Sequence, residues 1–282
     1  MKNILITGAN GQLGNDIRVL SKKFPQFVYF FTDVEELNIC DKEAITNFLH
    51  NNDIDCIVNC AAYTAVDKAE EDNDLCHKIN RDAVKNLAEA AKSKQVKVIH
   101  VSTDYVFDGK ANLPYTETNP TNPQSVYGKS KREGEEVLLS VCPQSIIIRT
   151  AWLYSTYGNN FVKTMLRLTK ERPELNVVSD QKGTPTYAAD LAQAILSIIR
   201  YTEKENQLHP GIYHYSNAGQ TSWFNFTEKI TQLAEIKTCQ VNPITTEQYP
   251  TKAARPMYSV LDKTKIKETF HLIVPEWEDS FK

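Results

Sequence analysis

An apolar run at Asn3 to Thr7 leads directly into Gly8-Ala9-Asn10-Gly11-Gln12-Leu13-Gly14, and an amphipathic helical pattern follows. A buried strand, a tight turn and a helix start, in that order, make the opening unit of a parallel α/β sheet. Gly8 permits the tight turn, Gly11 lets backbone approach a phosphate, and Gly14 lets the helix pack closely on the sheet. Such a turn aims backbone N–H groups and the positive end of a helix dipole at one point, where the pyrophosphate of a dinucleotide would sit. The candidate residues of that site are Gly8, Asn10, Gly11, Gln12, Leu13 and Gly14. A plain turn is the alternative reading.

The pattern repeats. Runs rich in β-branched residues recur at Phe27 to Thr32, Cys56 to Asn59, Val96 to Ser102 and Ser145 to Arg149, with helical patterns between them. Continuous apolar strands alternating with helices predict a parallel sheet covered on both faces, and right-handed crossovers make it doubly wound, a Rossmann-type α/β fold. Beyond about residue 150 the rhythm breaks into a Gly/Pro-bearing loop at Ser179 to Thr186, short strands near Ile212 and Val241, and helices near Asn160, Ala188 and Ser222. Residues 1–150 are therefore expected to form the dinucleotide domain, with contributions from later segments. Residues 151–282 mainly form a smaller lobe at the carboxyl ends of the strands, where open α/β sheets bind ligands.

Composition narrows the function. In 282 residues, 32 Lys and Arg against 35 Asp and Glu leave a net charge of −3, with no basic tract of the kind nucleic acid requires. No run approaches membrane-spanning length, and Met1 leads into Ile4-Leu5-Ile6 with no signal-peptide pattern, so a cytoplasmic protein away from membranes is expected. The six cysteines lack paired metal spacing and the six histidines are scattered, which reads as buried thiols and no structural metal.

Asp33 follows the second strand by one residue, where a carboxylate would accept hydrogen bonds from ribose hydroxyls and repel a 2′-phosphate. Its alternative reading is a helix cap. Asn38 and Ile39 could edge an adenine, whereas Asp41 reads as the N-cap before Lys42-Glu43-Ala44. Ala61, Ala62 and Tyr63 follow the third strand, where small residues admit a cofactor close to the backbone. At the chemical end, Tyr127 and Lys131 are four residues apart and share a face if the segment after Pro123 is helical. A neighbouring ammonium would favour the phenolate and bring Tyr127 within reach of proton transfer. Thr103, at the end of the fourth strand, can hydrogen-bond a carbonyl oxygen that is gaining charge. The competing reading of the Tyr/Lys pair is an exposed helix pair.

Together these residues resemble the extended short-chain dehydrogenase/reductase family over nearly the whole chain. The sharper strings run from Asn59 to Glu70, Ser102 to Gly109, Arg149 to Tyr154 and Arg255 to Asp262, of which Ser102-Thr103-Asp104-Tyr105-Val106-Phe107-Asp108-Gly109 is the most specific. The resemblance implies a catalytic set of Thr103, Tyr127 and Lys131. It also implies that Asp104 and Tyr105 face a sugar, that Trp152 packs near it, and that the C-terminal lobe holds a nucleoside diphosphate. Read without it, Trp152 is a core aromatic. Among the cations available for two phosphates, Lys163, Arg167, Lys182 and Arg255, the last fits best, because a guanidinium fork suits phosphate; Lys163 and Arg167 also read as a solvated helix face.

The activity implied is NAD(P)H-dependent reduction of the 4-keto group of dTDP-4-dehydro-6-deoxy-L-mannose, feeding cell-surface polysaccharide. NADPH is the reductant usual in the family, and Asp33 argues that NADH is tolerated. Some relatives form homodimers through magnesium held by acidic residues, near Asp16 and Asp190 here; Asp is shorter than Glu, and no metal ligand is assigned. Two alternatives remain: a nucleotide-sugar epimerase or dehydratase, of which the dehydratases generally carry an Asp-Glu pair next to the Thr where this chain has Asp104-Tyr105, and a non-catalytic dinucleotide-binding regulatory subunit.

Overall fold

The structure, a computed structural model, describes residues 2–282. Five strands, β1 (Lys2–Thr7), β2 (Phe27–Thr32), β3 (Cys56–Asn59), β4 (Lys97–Thr103) and β5 (Ser145–Thr150), run parallel in the order β5-β4-β3-β1-β2. A sixth strand, Gly211–His214, pairs in parallel with the free side of β5. The chain runs outward from β1 to β2 and then crosses back to β3 on the other side. That reversal opens a crevice at the carboxyl ends of β1 and β3.

Alternate residues of each strand serve opposite faces, so both faces are apolar. Ile4 and Ile6 of β1 and Ile146 and Ile148 of β5 join one core with Leu13 and Ile17 of α1 (Gln12–Leu20). Leu5, Ile57 and Ile147 join the other, with Ile45 and Leu49 of α2 (Lys42–Asn51). Two short helices, α3 (Val66–Ala69) and α4 (Asn73–His77), lead into a π-helical turn at Lys78–Asp82. The second face is completed by Val84, Leu87 and Ala91 of α5 (Ala83–Lys94) and Leu138 of α6 (Val126–Val141). Each fully buried aliphatic side chain of this kind contributes about 1.5–3 kcal/mol.

The expected break at residue 150 is only partly realised. After α7 (Phe161–Glu171), helix α8 (Ala188–Glu205) returns to the sheet and lays Leu191, Ile195 and Ile199 beside α1, and the Gly211–His214 strand extends the sheet. Both were expected in the smaller lobe. The long apolar stripe of α8 needs a large partner surface, which the main sheet and α1 offer. The lobe itself is built on Met165 of α7, Leu175 and Val177 of the Glu174–Val178 strand, and Phe226 and Ile230 of α9 (Trp223–Leu233), with Trp277. Strand Gln240–Ile244 pairs with Glu174–Val178. The loop expected at Ser179 to Thr186 contains a short strand, Lys182–Gly183, paired with Thr221–Ser222.

One buried ion pair fastens α6 to β5. Arg149 donates from Nε and Nη2 to the two carboxylate oxygens of Glu135 at 2.8 and 2.7 Å, and both residues are essentially inaccessible. The guanidinium also lies 5.1 Å from the Phe107 ring centroid. Removing one partner of such a pair strands a buried charge, so Glu135→Ala should lower unfolding free energy by about 3–5 kcal/mol. Urea denaturation checks this; a loss below about 1 kcal/mol would show that water replaces the carboxylate.

Candidate active site

The glycine turn opens onto a cleft of about 910 Å³ that also receives the ends of β3, β4 and β5 and the first turn of α6. Gly8 has φ +64°, and a Cβ there would lie 2.7 Å from the Ala61 backbone, so turn and neighbouring loop touch without a side chain between them. A Cβ at Gly14 would meet Ala9 and Gly8 of the turn itself at 2.5–2.6 Å, rather than the sheet as expected. At Gly11 it would meet only the Gly8 carbonyl, at 3.2 Å, which leaves the cleft side open. Helix α1 carries no side-chain cap and no acidic residue in its first turn. Its uncapped N–H groups therefore face a cleft wall suited to a phosphate, and a dinucleotide fits these residues.

Gly8, Gly11, Gln12, Leu13, Gly14, Asp33, Asn38, Ile39, Ala61 and Ala62 all line this cleft. Asn10 does not: it is exposed, and its N–H donates to Asp33 Oδ2 at 3.0 Å. The other Asp33 oxygen accepts from the Val34 N–H at 2.8 Å, so this carboxylate braces the turn as well as bordering the cleft. Asp41 caps α2 as expected, accepting from the Ala44 N–H at 2.9 Å. Tyr63 is turned away, its N–H bonded to Asn80 and its hydroxyl to Asp72, and it does not line the cleft.

On the opposite wall stand Thr103, Asp104, Tyr105, Tyr127, Lys131 and Trp152. Ser125 caps α6 by accepting from the Gly128 N–H at 3.1 Å, which starts the helix one residue before Tyr127. A Cβ on Gly128 would lie 2.3 Å from the Tyr105 carbonyl, so glycine lets this turn seat against the loop after β4. Tyr127 and Lys131 share a buried face, as the four-residue spacing predicted, and the Tyr105 and Tyr127 rings meet edge to face at 5.5 Å.

Burial dominates the electrostatics. It pushes the Tyr127 phenol well above its usual value, with the Thr103 hydroxyl opposing and the Asp104 carboxylate reinforcing. The expected lowering by Lys131 is not the governing effect here. The lysine nitrogen instead donates to the Val101 carbonyl at 2.7 Å and lies 3.3 Å from His100 Nε2. Burial brings Lys131 down to about 8. The Thr103 hydroxyl donates to Asp104 Oδ1 at 3.0 Å and accepts from the Tyr105 N–H at 3.2 Å.

Trp152 adopts φ +47° and stacks on Trp223 with centroids 3.4 Å apart, so it both packs a core and borders the cleft. Arg255 is outside the cleft lining and pairs with Asp67 at 2.5 Å. Lys163 donates to the Gly158 carbonyl, Arg167 pairs with Glu171, and Lys182 is exposed, beside a separate surface groove. Asp16 accepts from Ser155 at 2.6 Å and Asp190 from Asn217 at 2.7 Å. No group of three metal-ligating side chains gathers among the described residues. All six cysteines are free thiols.

The sequence reading missed Val101, Thr150 and the Gly158-Asn159-Asn160 segment, all of which line the cleft. Thr150 could have been found as a polar residue ending an apolar strand. Gly158 to Asn160 carried a helix-start signal, and Asn160 caps α7.

Asp104 is raised to about 6, chiefly by burial, with hydrogen bonds from Thr103 and Ser259 opposing. An acid whose folded value exceeds its unfolded value of about 4 favours the folded state while protonated, and this stability is lost as pH rises between the two. Asp104→Asn should therefore be more stable than the parent at pH 7.5 by about 1–3 kcal/mol, the gain vanishing near pH 4. Thermal unfolding across that range checks it; a variant equally destabilised at both pH values would contradict it.

The whole chain, residues 1–282, matches the family model of the RmlD substrate binding domain. It is 42% identical to a dTDP-4-dehydrorhamnose reductase of Aggregatibacter actinomycetemcomitans, covering 100% of this chain and 98% of that protein. It superposes on the crystal structure of a dTDP-4-dehydrorhamnose reductase of Clostridium acetobutylicum with a TM-score of 0.92 at 46% identity, covering 99% and 97% of the two chains. A Bacillus anthracis dTDP-4-dehydrorhamnose reductase solved in complex with NADP gives a TM-score of 0.91 at 39% identity, with the same 99% and 97% coverage.

Proposed function

The chain belongs to the RmlD substrate binding domain family with the dTDP-4-dehydrorhamnose reductases, and from that premise we propose the role of each residue in its reaction. It is an oxidoreductase that reduces the 4-keto group of dTDP-4-dehydro-6-deoxy-L-mannose, giving dTDP-L-rhamnose, with NADPH as reductant. The convergence of Thr103, Tyr127 and Lys131 on a cleft that begins at the glycine turn carries the residue assignments.

The dinucleotide, when bound, supplies the hydride. Gly8, Gly11 and the N-terminus of α1 would hold its phosphates, Asp33, Asn38 and Ile39 the adenosine end, and Ala61 and Ala62 the passage between. Lys131 binds the nicotinamide ribose. Tyr127 is the proton donor: its buried phenol stays protonated at neutral pH, the form the nascent alkoxide needs. Thr103 orients the carbonyl oxygen beside it. Asp104 and Tyr105 contact the sugar, and Trp152, fixed by its stack on Trp223, forms the wall against which the sugar packs. Arg255, steered by Asp67 at the rim, reaches the diphosphate on swinging free of its partner. The lobe built on α7 and α9 carries the nucleotide sugar, and the reaction is cytoplasmic. NADH serves as a second reductant, because Asp33 favours a free ribose 2′-hydroxyl over a phosphate.

Absorbance loss of NADPH, and separately NADH, is the assay, with the keto sugar generated in situ from dTDP-glucose by the preceding dehydratase and epimerase. Stoichiometric oxidation that requires the epimerase is expected. Dinucleotide binding without oxidation would instead favour another nucleotide sugar or a regulatory subunit.

Tyr127→Phe should bind NADPH nearly as the parent does yet lose about 10²-fold or more in kcat, since only the donated proton is removed. Near-parental turnover would remove Tyr127 from the chemistry. Lys131→Ala should lose both kcat and NADPH affinity, and unchanged affinity would leave the lysine without its ribose role.

A further inference from the structure

Beneath the catalytic lysine a line of buried polar side chains crosses three strands in register: Thr7 of β1 opposite Asn59 of β3, and Asn59 opposite His100 of β4. Among apolar neighbours, such groups are retained only when hydrogen-bonded, and their directions are then fixed. The Ala61 backbone N–H, which can only donate, meets Asn59 Oδ1 at 3.2 Å, and the Thr7 hydroxyl donates to the same oxygen at 2.7 Å. The amide orientation follows from these partners. Asn59 Nδ2 therefore points at His100 Nδ1, 3.0 Å away, as a donor. A ring nitrogen that accepts carries no proton, so His100 is neutral with its hydrogen on Nε2. That N–H faces the nitrogen of Lys131 at 3.3 Å.

Resting on the reductase reading of the cleft, we propose that His100 is a positioning residue for Lys131. By meeting the lysine nitrogen with a donor, it offers an ammonium there no acceptor, so that of these internal groups Val101 alone takes one of its N–H bonds. Val101 O accepts at 2.7 Å. An ammonium has three N–H bonds, so two are free for ribose hydroxyls. A lysine with a second acceptor at His100 would commit two of the three to the protein. The same donor disfavours the cation and acts with burial on the lysine. The other titratable groups acting on it, Glu135 on α6, Cys60 after β3 and Cys76 on α4, act in the opposite sense, and Glu135 is itself held by Arg149.

The first test is ¹⁵N NMR of the free full-length protein labelled at histidine. One of its six histidines is expected to be neutral throughout the folded range, with Nε2 protonated and Nδ1 bare, and to disappear in His100→Phe. If the signal that His100→Phe removes is protonated on Nδ1 instead, the proposal is overturned; His214, whose Nδ1 faces the Tyr115 carbonyl at 3.0 Å, gives a separate signal. The second is the Lys131 titration, followed with ¹³C-labelled lysine and assigned by its loss in Lys131→Ala. Replacing His100 by Phe makes the surroundings more apolar, which alone would lower the lysine, whereas losing an opposing donor raises it. An upward shift of about half a pH unit or more is expected; no shift, or a downward one, would overturn the proposal. Should His100→Phe not fold, the tautomer in the parent protein still decides, with the signal identified in His100→Gln. Neither measurement depends on turnover, so a failed reductase assay and a failed positioning role are separable.

Discussion

The bidentate pair between Arg149 and Glu135 is the interaction on which the cleft wall carrying Tyr127 and Lys131 depends. Glu135 is one turn beyond Lys131 on the same buried face of α6, and Arg149 is the penultimate residue of β5. Two parallel N–H···O bonds at 2.7–2.8 Å fix both the rotation and the height of α6 on the sheet. The rotation decides whether Tyr127 and Lys131 face the cleft or the solvent. On the far side the guanidinium lies against Phe107, whose ring meets His214 edge to face, and the Arg149 charge helps burial lower His214 to about 3. His214 is therefore neutral in this cluster, and the single buried carboxylate balances the single buried cation.

Burial is the second organising effect, and it acts on each ionisable group of the cleft wall according to its charge type. It favours the protonated forms of Tyr127 and Asp104 and the neutral form of Lys131. A phenol kept protonated is a competent proton donor to an oxyanion, and a lysine near about 8 changes state readily when a polar ligand enters. The wall is thus tuned mainly by exclusion of water, with neighbouring hydroxyls and backbone N–H groups making smaller corrections.

Much of the site was legible in the chain because its parts are local. The glycine turn, the Asp41 cap and the Tyr127/Lys131 spacing each depend on a few consecutive residues, and each has the conformation their chemistry predicts. Asn10 and Tyr63 read equally well as cleft residues, but in the fold neither lines the cleft: the Asn10 backbone N–H is bonded to Asp33, and Tyr63 to Asn80 and Asp72, while Arg255 lies outside the cleft lining, paired with Asp67. Nothing in a linear string distinguishes a free polar group from one already bonded.

The sequence by itself determined the parallel α/β architecture, the glycine turn and the placing of Tyr127 and Lys131 on one face of a helix, because periodicity, glycine and helical spacing act over short distances. Tertiary structure alone decided that α8 and the Gly211–His214 strand belong with the main sheet. It also decided that burial rather than the neighbouring ammonium governs Tyr127, and that His100 stands behind Lys131. Desolvation and long-range hydrogen bonding depend on what surrounds a group in space, and residues far apart in the chain supply those surroundings only once the sheet has closed over them.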